Sequence, residues 1–257
     1  MVSASPERER NMADPARRSP ASLPDQGLVT GTAELTSPRG RHYRIIETRE
    51  LDGYERPLAA EELATVGAAR LRTDDNFAGT DRRAAKISIA GGPAQQFNEL
   101  QGLLDSLTAD DKMINHNPPI SQDPTSQRVA EEQRNVRVRA FLYAASRESD
   151  NDFHFIVGRD PSASPAAYMN MELSGLPPQT SNAFALLEAA RTAYKTFIKG
   201  NLPGVGYHHY DPPIPIEVEG SLFFDLKHAH GTHPGPAALR PKTIWEVHPI
   251  SHIVFEP

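Results

Sequence analysis

From Val136 onward the chain alternates apolar and polar residues in separate stretches, and these carry most of what the sequence predicts. Val136, Val138, Ala140, Leu142 and Ala144 alternate with Arg137, Arg139, Phe141 and Tyr143, the period-two signature of a long strand. Asp152 to Gly158, rich in Phe, Ile and Val, predicts a second strand after the charged turn Glu148 to Asn151. Met169, Met171 and Leu173 alternate with Tyr168, Asn170 and Glu172 in a third, which Gly175, Pro177 and Pro178 end. Cap-type residues Thr180, Ser181 and Asn182 then precede an apolar stripe at helical spacing, Phe184, Leu187, Ala190, Tyr194, Phe197 and Ile198. Lys195 and Lys199 suit the end of the helix dipole, and Gly200 supplies a left-handed stop. Ile214, Ile216 and Val218 alternate with Pro215, Glu217 and Glu219 and lead through Gly220 to Leu222-Phe223-Phe224, a fourth strand with a bend at the glycine. Ile244 to His248 and His252 to Glu256 predict a fifth, broken at Pro249.

The order β-β-β-α-β-β predicts a mainly β, α+β fold in which the C-terminal half is an OB-like five-stranded barrel. A split α+β sheet covered by one helix is the alternative. The expected division is a disordered tail over 1–27, a small α/β annex with linker over 28–130, and the OB-like domain over 131–257.

The N-terminal half is less regular. His42 to Ile46 reads as a strand after a turn at Ser37-Pro38-Arg39-Gly40, and a helix is expected at 58–71 behind Pro57. Residues 72–84 read as a polar loop, and Lys86 to Ile89 as a short strand. Phe97, Leu100, Leu103, Leu104 and Leu107 fall at helical spacing and predict an amphipathic helix over 94–107. Asn117-Pro118-Pro119 and Asp123-Pro124 mark 108–135 as linker.

Composition narrows the chemistry. The 257 residues include no cysteine, which excludes disulfides, thiol nucleophiles, iron–sulfur clusters and thiolate zinc sites. The formal net charge of −6 argues against a protein that grips nucleic acid through a dominating basic field. Nucleic acid stays open as a partner because Arg137 and Arg139 share a strand face with Phe141 and Tyr143, cations beside stacking rings. The blander reading places the two rings in the core. No apolar run is long enough to span a membrane, and residues 1–27 contain no hydrophobic signal core, so a cytoplasmic protein is expected.

Seven of the ten histidines fall within the last 50 residues. Glu246 and His248 lie two apart on a strand and so face the same way. Asp225 closes the neighbouring strand and His228 follows it. Asp225, His228, Glu246 and His248 thus form a candidate site for a divalent metal, the only cofactor the residue types suggest. The plainer alternative is that these carboxylates and imidazoles pin turns by hydrogen bonds. A second acidic group, Asp150, Asp152 and His154, lies beside the first turn. In the barrel reading that turn and the loop after strand four frame the usual ligand surface, which makes Asp150, Asp152, His154, Arg137 and Arg139 candidate ligand-binding residues.

Three motifs also stand in order: Asp150-x-Asp152-x-His154, Gly220-x-x-Phe223-Phe224-Asp225-x-x-His228 and Trp245-Glu246-x-His248-Pro249. Together they resemble a group of small uncharacterised bacterial proteins that combine an Asp-x-Asp-x-His strand, a Phe-Phe-Asp-x-x-His turn and a closing Glu-x-His-Pro strand. The resemblance covers about residues 136–256 and implies site roles for Asp150, Asp152, His154, Asp225, His228, Glu246 and His248. It implies no activity, and the long N-terminal annex departs from the group.

Three functions remain open from sequence alone. The first is an OB-like module that binds an unidentified ligand or protein partner, with nucleic acid among the candidates. The second is a metal-dependent hydrolase that uses the His/Asp/Glu cluster, with phosphodiesters as candidate substrates. The third is a structural or interaction protein without catalysis.

Overall fold

A computed structural model describes residues 23–51, 74–230 and 234–257. The helix expected at 58–71, most of the expected tail and residues 231–233 lie outside the described residues. Among the described residues there are eight strands: β1 (Val29–Thr36), β2 (His42–Thr48), β3 (Gln95–Phe97), β4 (Asn135–Arg147), β5 (Phe153–Gly158), β6 (Tyr168–Leu173), β7 (His208–Phe224) and β8 (Trp245–Phe255). Four α-helices accompany them: α1 (Arg83–Lys86), α2 (Leu100–Asp105), α3 (Asp110–Ile114) and α4 (Phe184–Phe197). The fold is therefore mostly β with some helix. No helix among the described residues is long and apolar enough to cross a membrane.

All eight strands join one sheet in the order β1-β2-β7-β8-β6-β5-β4-β3, and a further β7–β4 pairing closes β4, β5, β6, β8 and β7 into a ring. Within the ring β6 and β8 run parallel and every other neighbouring pair is antiparallel. β4 closes the ring because it pairs on both sides. Leu142 lies opposite Ile214 of β7 and Val157 of β5, and the register shifts between Leu142 and Ala144 in both ladders. Such a bulge bends a strand and increases its twist. The apolar set of each strand forms the core, including Val138, Leu142, Phe155, Met171, Ile216, Val218 and Val247. α4 packs on it through Phe155–Tyr194 and Phe197–Phe255 ring contacts at 4.7 and 4.3 Å.

Several local readings change. β7 begins six residues before Ile214, because β2 pairs with its start from His208 to Asp211. β8 is continuous through Pro249. Its register against β7 shifts on both sides of Gly220, so the proline's missing N–H falls in an irregular part of the ladder. A Cβ at Gly220 would approach Val247 Cγ1 to 2.6 Å and Ile250 Cα to 3.0 Å, so this crossing requires glycine. The helix expected over 94–107 is shortened to α2. Gln95 to Phe97 pair instead with Val136 to Val138 as a parallel strand, and that partner lies outside the local pattern. Lys86 to Ile89 is not a strand. Lys86 ends α1, and the Ser88 N–H donates to Ala85 O.

The stretch 108–135 is firmly packed. It contains α3 and a 3-10 turn, Ala130–Glu132. Arg128 reaches under β7 and β8, donating to the carbonyls of Leu222, Ala85 and His248 at 2.6–2.7 Å. Arg82 and Glu132, both essentially inaccessible, form a two-pronged ion pair with both contacts at 2.7 Å. These bonds dock α1 at the rim of the ring where β7 ends and β8 begins.

Candidate metal centre

Four strands of the ring, at or just beyond their ends, and one turn supply the side chains. Asp152 immediately precedes β5, Glu172 lies near the end of β6, and Glu246 and His248 share one face of β8. Asp225 ends β7, and His228 stands in the 3-10 turn Leu226–His230 that follows. Glu172 lies opposite His154 in the β5–β6 ladder, and Asn170 lies opposite Glu246 in the β6–β8 ladder. The strand order thus brings residues from 152 to 248 to one end of the ring.

They form two adjacent groups. In the first, the ligand-type atoms of Asp152, Glu172 and His248 all lie within 4.8 Å of one another. His248 Nε2 is 3.3 Å from Asp152 Oδ2, and His248 Nδ1 is 3.0 Å from Glu172 Oε2. Short as these contacts are, neither ring nitrogen of His248 nor Asp152 Oδ2 has a hydrogen-bond partner of acceptable geometry. Asp152 Oδ1 accepts from the Gly175 N–H at 2.6 Å, which fixes the carboxylate and turns its other oxygen into the group. The His248 carbonyl is held by Arg128 at 2.7 Å. Backbone anchoring of this kind is how an outer shell orients ligands.

The second group is Asp225, His228 and Glu246. His228 Nδ1 is 3.7 Å from Asp225 Oδ2 and 3.9 Å from Glu246 Oε1. The other Glu246 oxygen, Oε2, lies 3.6 Å from His248 Nδ1, so this carboxylate faces both groups. Lys86 arrives from α1 with its Nζ 3.6 Å from Asp225 Oδ2.

The charges are crowded. Burial, with the Asp150 charge added, pushes the Asp152 carboxyl well above the usual carboxylate range. Burial and the neighbouring Glu172 raise Glu246 to about 7. Burial also acts to raise Asp225, but the Lys86 ammonium and His228 outweigh it and hold that carboxyl low. Lys86 would lose its proton more readily through burial alone. The charges of Asp225, Glu172, Asp150 and Glu246 reverse that and keep it protonated.

Above the groups lies a cavity of about 300 Å³ whose wall includes Glu148, Asp150, His154, Glu172, Asp225 and His228, together with Lys86 and Lys227. Asp150 and His228, from the two loops expected to frame a ligand surface, both line it. Asp152, Glu246 and His248 are fully buried beside this wall.

Seven of the nine sequence-derived candidates therefore converge: Asp150, Asp152, His154, Asp225, His228, Glu246 and His248. Arg137 and Arg139 do not join them. They pair across β4 and β7 with Glu219 and Glu217, with Arg137 Nε–Glu219 at 2.8 Å and Arg139 Nε–Glu217 at 3.1 Å. His208 and His209 face Glu47 and Glu50 and belong to neither group. The four-residue set Asp225, His228, Glu246 and His248 divides between the groups, with His248 in the other one. Two residues were missed. Glu172 was legible as the lone acid in an otherwise apolar and amide strand. Lys86 reaches the site from a distant segment and left no local signal. Comparison with protein-family models, with characterised proteins and with solved structures finds no match for this chain.

Proposed function

We propose that the protein is a divalent-metal-dependent hydrolase acting on phosphodiesters, with the ion held by Asp152, Glu172 and His248. The observation that carries this reading is the buried convergence of those three side chains with His248 Nδ1, His248 Nε2 and Asp152 Oδ2 lacking hydrogen-bond partners. A cluster built only for stability would satisfy these atoms, since each orphaned buried polar group costs about 1–3 kcal/mol. A cation would use the lone pairs of Asp152 Oδ2 and of one His248 nitrogen as ligands. Two carboxylates and one imidazole form the three-ligand set of a catalytic site, which leaves a position for water.

A bound divalent ion lowers the pKa of its water toward neutrality and draws electron density from a phosphoryl oxygen. Glu172 belongs both to the ligand group and to the cavity wall, so an ion held there would lie next to the space a substrate would fill. Lys86 and Lys227 are the ammonium groups on a cavity wall that is otherwise rich in carboxylates, and Lys86 lies nearest the ligand groups. His154, across from Glu172, is the base that takes the proton of the attacking water. The water oxygen would bond to phosphorus as the P–O ester bond breaks, the leaving alkoxide would take a proton from solvent in the open cavity, and His154 would return its own proton to solvent.

We further propose that the five-strand ring is an OB-like barrel. Its support is the helix between the third and fourth ring strands and the parallel pairing of the third and fifth. In that architecture the cavity lies between the loops that commonly take ligands. The same position favours a second reading, a binding module without turnover. Bis(4-nitrophenyl) phosphate separates the two. The hydrolase reading expects cleavage by protein loaded with Mn²⁺ or Zn²⁺, loss with EDTA, recovery on metal addition and loss in His154→Ala. Stoichiometric metal binding without cleavage of this or longer diesters leaves the binding reading. No metal binding rejects the hydrolase.

A further inference from the structure

Glu246 has no hydrogen-bond partner at either carboxylate oxygen although it is wholly buried, and its two oxygens face different groups. An ion held by Asp152, Glu172 and His248 alone would leave Glu246 Oε1 unsatisfied beside His228 and Asp225, while Oε2 lies 3.6 Å from His248 Nδ1. We infer that the protein binds a second divalent cation between Asp225, His228 and Glu246, with the Glu246 carboxylate bridging the two ions. This rests on the metal-centre reading above and extends it from one ion to two.

Geometry and charge both point this way. The ligand-type atoms of Asp225, His228 and Glu246 lie within 4.8 Å of one another, a span one ion can bridge. His228 Nδ1 is buried and has no hydrogen-bond partner, while the remainder of its side chain reaches the cavity at 30% exposure. Asp225 Oδ1 accepts the Lys227 N–H at 3.0 Å, which leaves Oδ2 turned toward His228 and Lys86. Five carboxylates meet here, Asp150, Asp152, Glu172, Asp225 and Glu246, and among the described residues Lys86 is the ammonium set among them. One divalent ion leaves the assembly two charges negative, and a second brings it to neutrality. Carboxylate-bridged ion pairs about 3.5–4 Å apart are the arrangement that clamps the attacking and leaving oxygens of a phosphoryl displacement. The mixed oxygen and nitrogen donors suit Mn²⁺ or Zn²⁺ better than Ca²⁺.

Mn²⁺ titration of the full chain, followed by EPR, tests this with the metal itself as probe. The expected result is two Mn²⁺ per chain with a spin-coupled spectrum for the wild type. His228→Ala and His228→Gln should each bind one uncoupled Mn²⁺, while circular dichroism confirms that both fold. One Mn²⁺ in the wild type overturns the second position and leaves the first intact. Two ions in the wild type and in both His228 variants also overturn it, by locating the second ion elsewhere. No Mn²⁺ in the wild type removes both readings together.

Discussion

Replacing Glu132 with Ala tests whether buried charge docks the N-terminal segment on the ring. Glu132 Oε1 receives Arg82 Nη1 at 2.7 Å and the Phe224 N–H at 2.9 Å. Oε2 receives Arg82 Nη2 at 2.7 Å and the Val129 N–H at 2.8 Å. With the carboxylate gone, the Arg82 guanidinium keeps only the carbonyls of Gln127 and Phe224, at 3.1 and 3.4 Å. Orphaning one member of a buried pair costs about 3–5 kcal/mol. Each backbone N–H left behind adds up to about 1–3 kcal/mol, though the contributions overlap where water enters. The expected loss is about 4 kcal/mol for Glu132→Ala and about half that for Glu132→Gln, which keeps an acceptor. Urea unfolding followed by circular dichroism reads this as a shift in midpoint at constant slope. Lys86 lies one helical turn beyond Arg82, so the Ala variant should also loosen the Lys86–Asp225 contact. A loss below about 1 kcal/mol would refute the idea that this pair is a strut.

Other consequences are as direct. Gly220→Ala should cost about 2 kcal/mol or more in the same unfolding assay, because the new methyl group meets backbone on β8 that cannot move aside; an unchanged midpoint would contradict the close crossing. Burial acts to raise Asp75, but hydrogen bonds from Lys195 and Arg191 outweigh it and hold its carboxyl below the usual range. The folded state therefore binds this proton more weakly than the unfolded chain. The stabilisation is complete above the unfolded pKa and lost as pH falls through the folded one. Asp75→Asn should flatten the acid limb of the stability–pH curve, and an acid limb identical to wild type would count against the pairing. Arg139→Ala removes an exposed cross-strand pair and should change stability by no more than about 0.5 kcal/mol, with Mn²⁺ binding unaltered. A lost metal site in that variant would mean that the rim of β4 and β7 reaches the centre.

The second half of the chain was legible because its strands alternate cleanly. β5 and β6 are buried along almost their whole length, and they showed as short runs rich in Phe, Ile, Val and Met between turn residues. The grouping of Asp225, His228, Glu246 and His248 followed from strand order together with the rule that residues two apart share a face, whereas Asp152 fell in a separate acidic group. What stayed hidden depended on partners far away in sequence. Gln95 to Phe97 left a helical pattern to pair with β4, and the first residues of β7 are strand because β2 lies beside them. Arg82, Arg128 and Glu132 fell in stretches read as polar loop and linker, since nothing local shows that a charge is buried and paired. Lys86 was obscure for the same reason. Its position depends on the Arg82–Glu132 strut and on α1, neither of which has a periodic signature. The division of the acidic cluster into two groups required the lateral pairing of β6 with β8, which brings His248 between Asp152 and Glu172.

The central claim is that Asp152, Glu172 and His248 are ligands and not a hydrogen-bonded cluster. Crystals grown with Zn²⁺ and measured across the zinc absorption edge test it most directly. The account predicts an anomalous peak about 2.0–2.2 Å from a His248 ring nitrogen and from one oxygen each of Asp152 and Glu172. Crystals without a peak there, in which His248 donates linear hydrogen bonds to the two carboxylates, would contradict it.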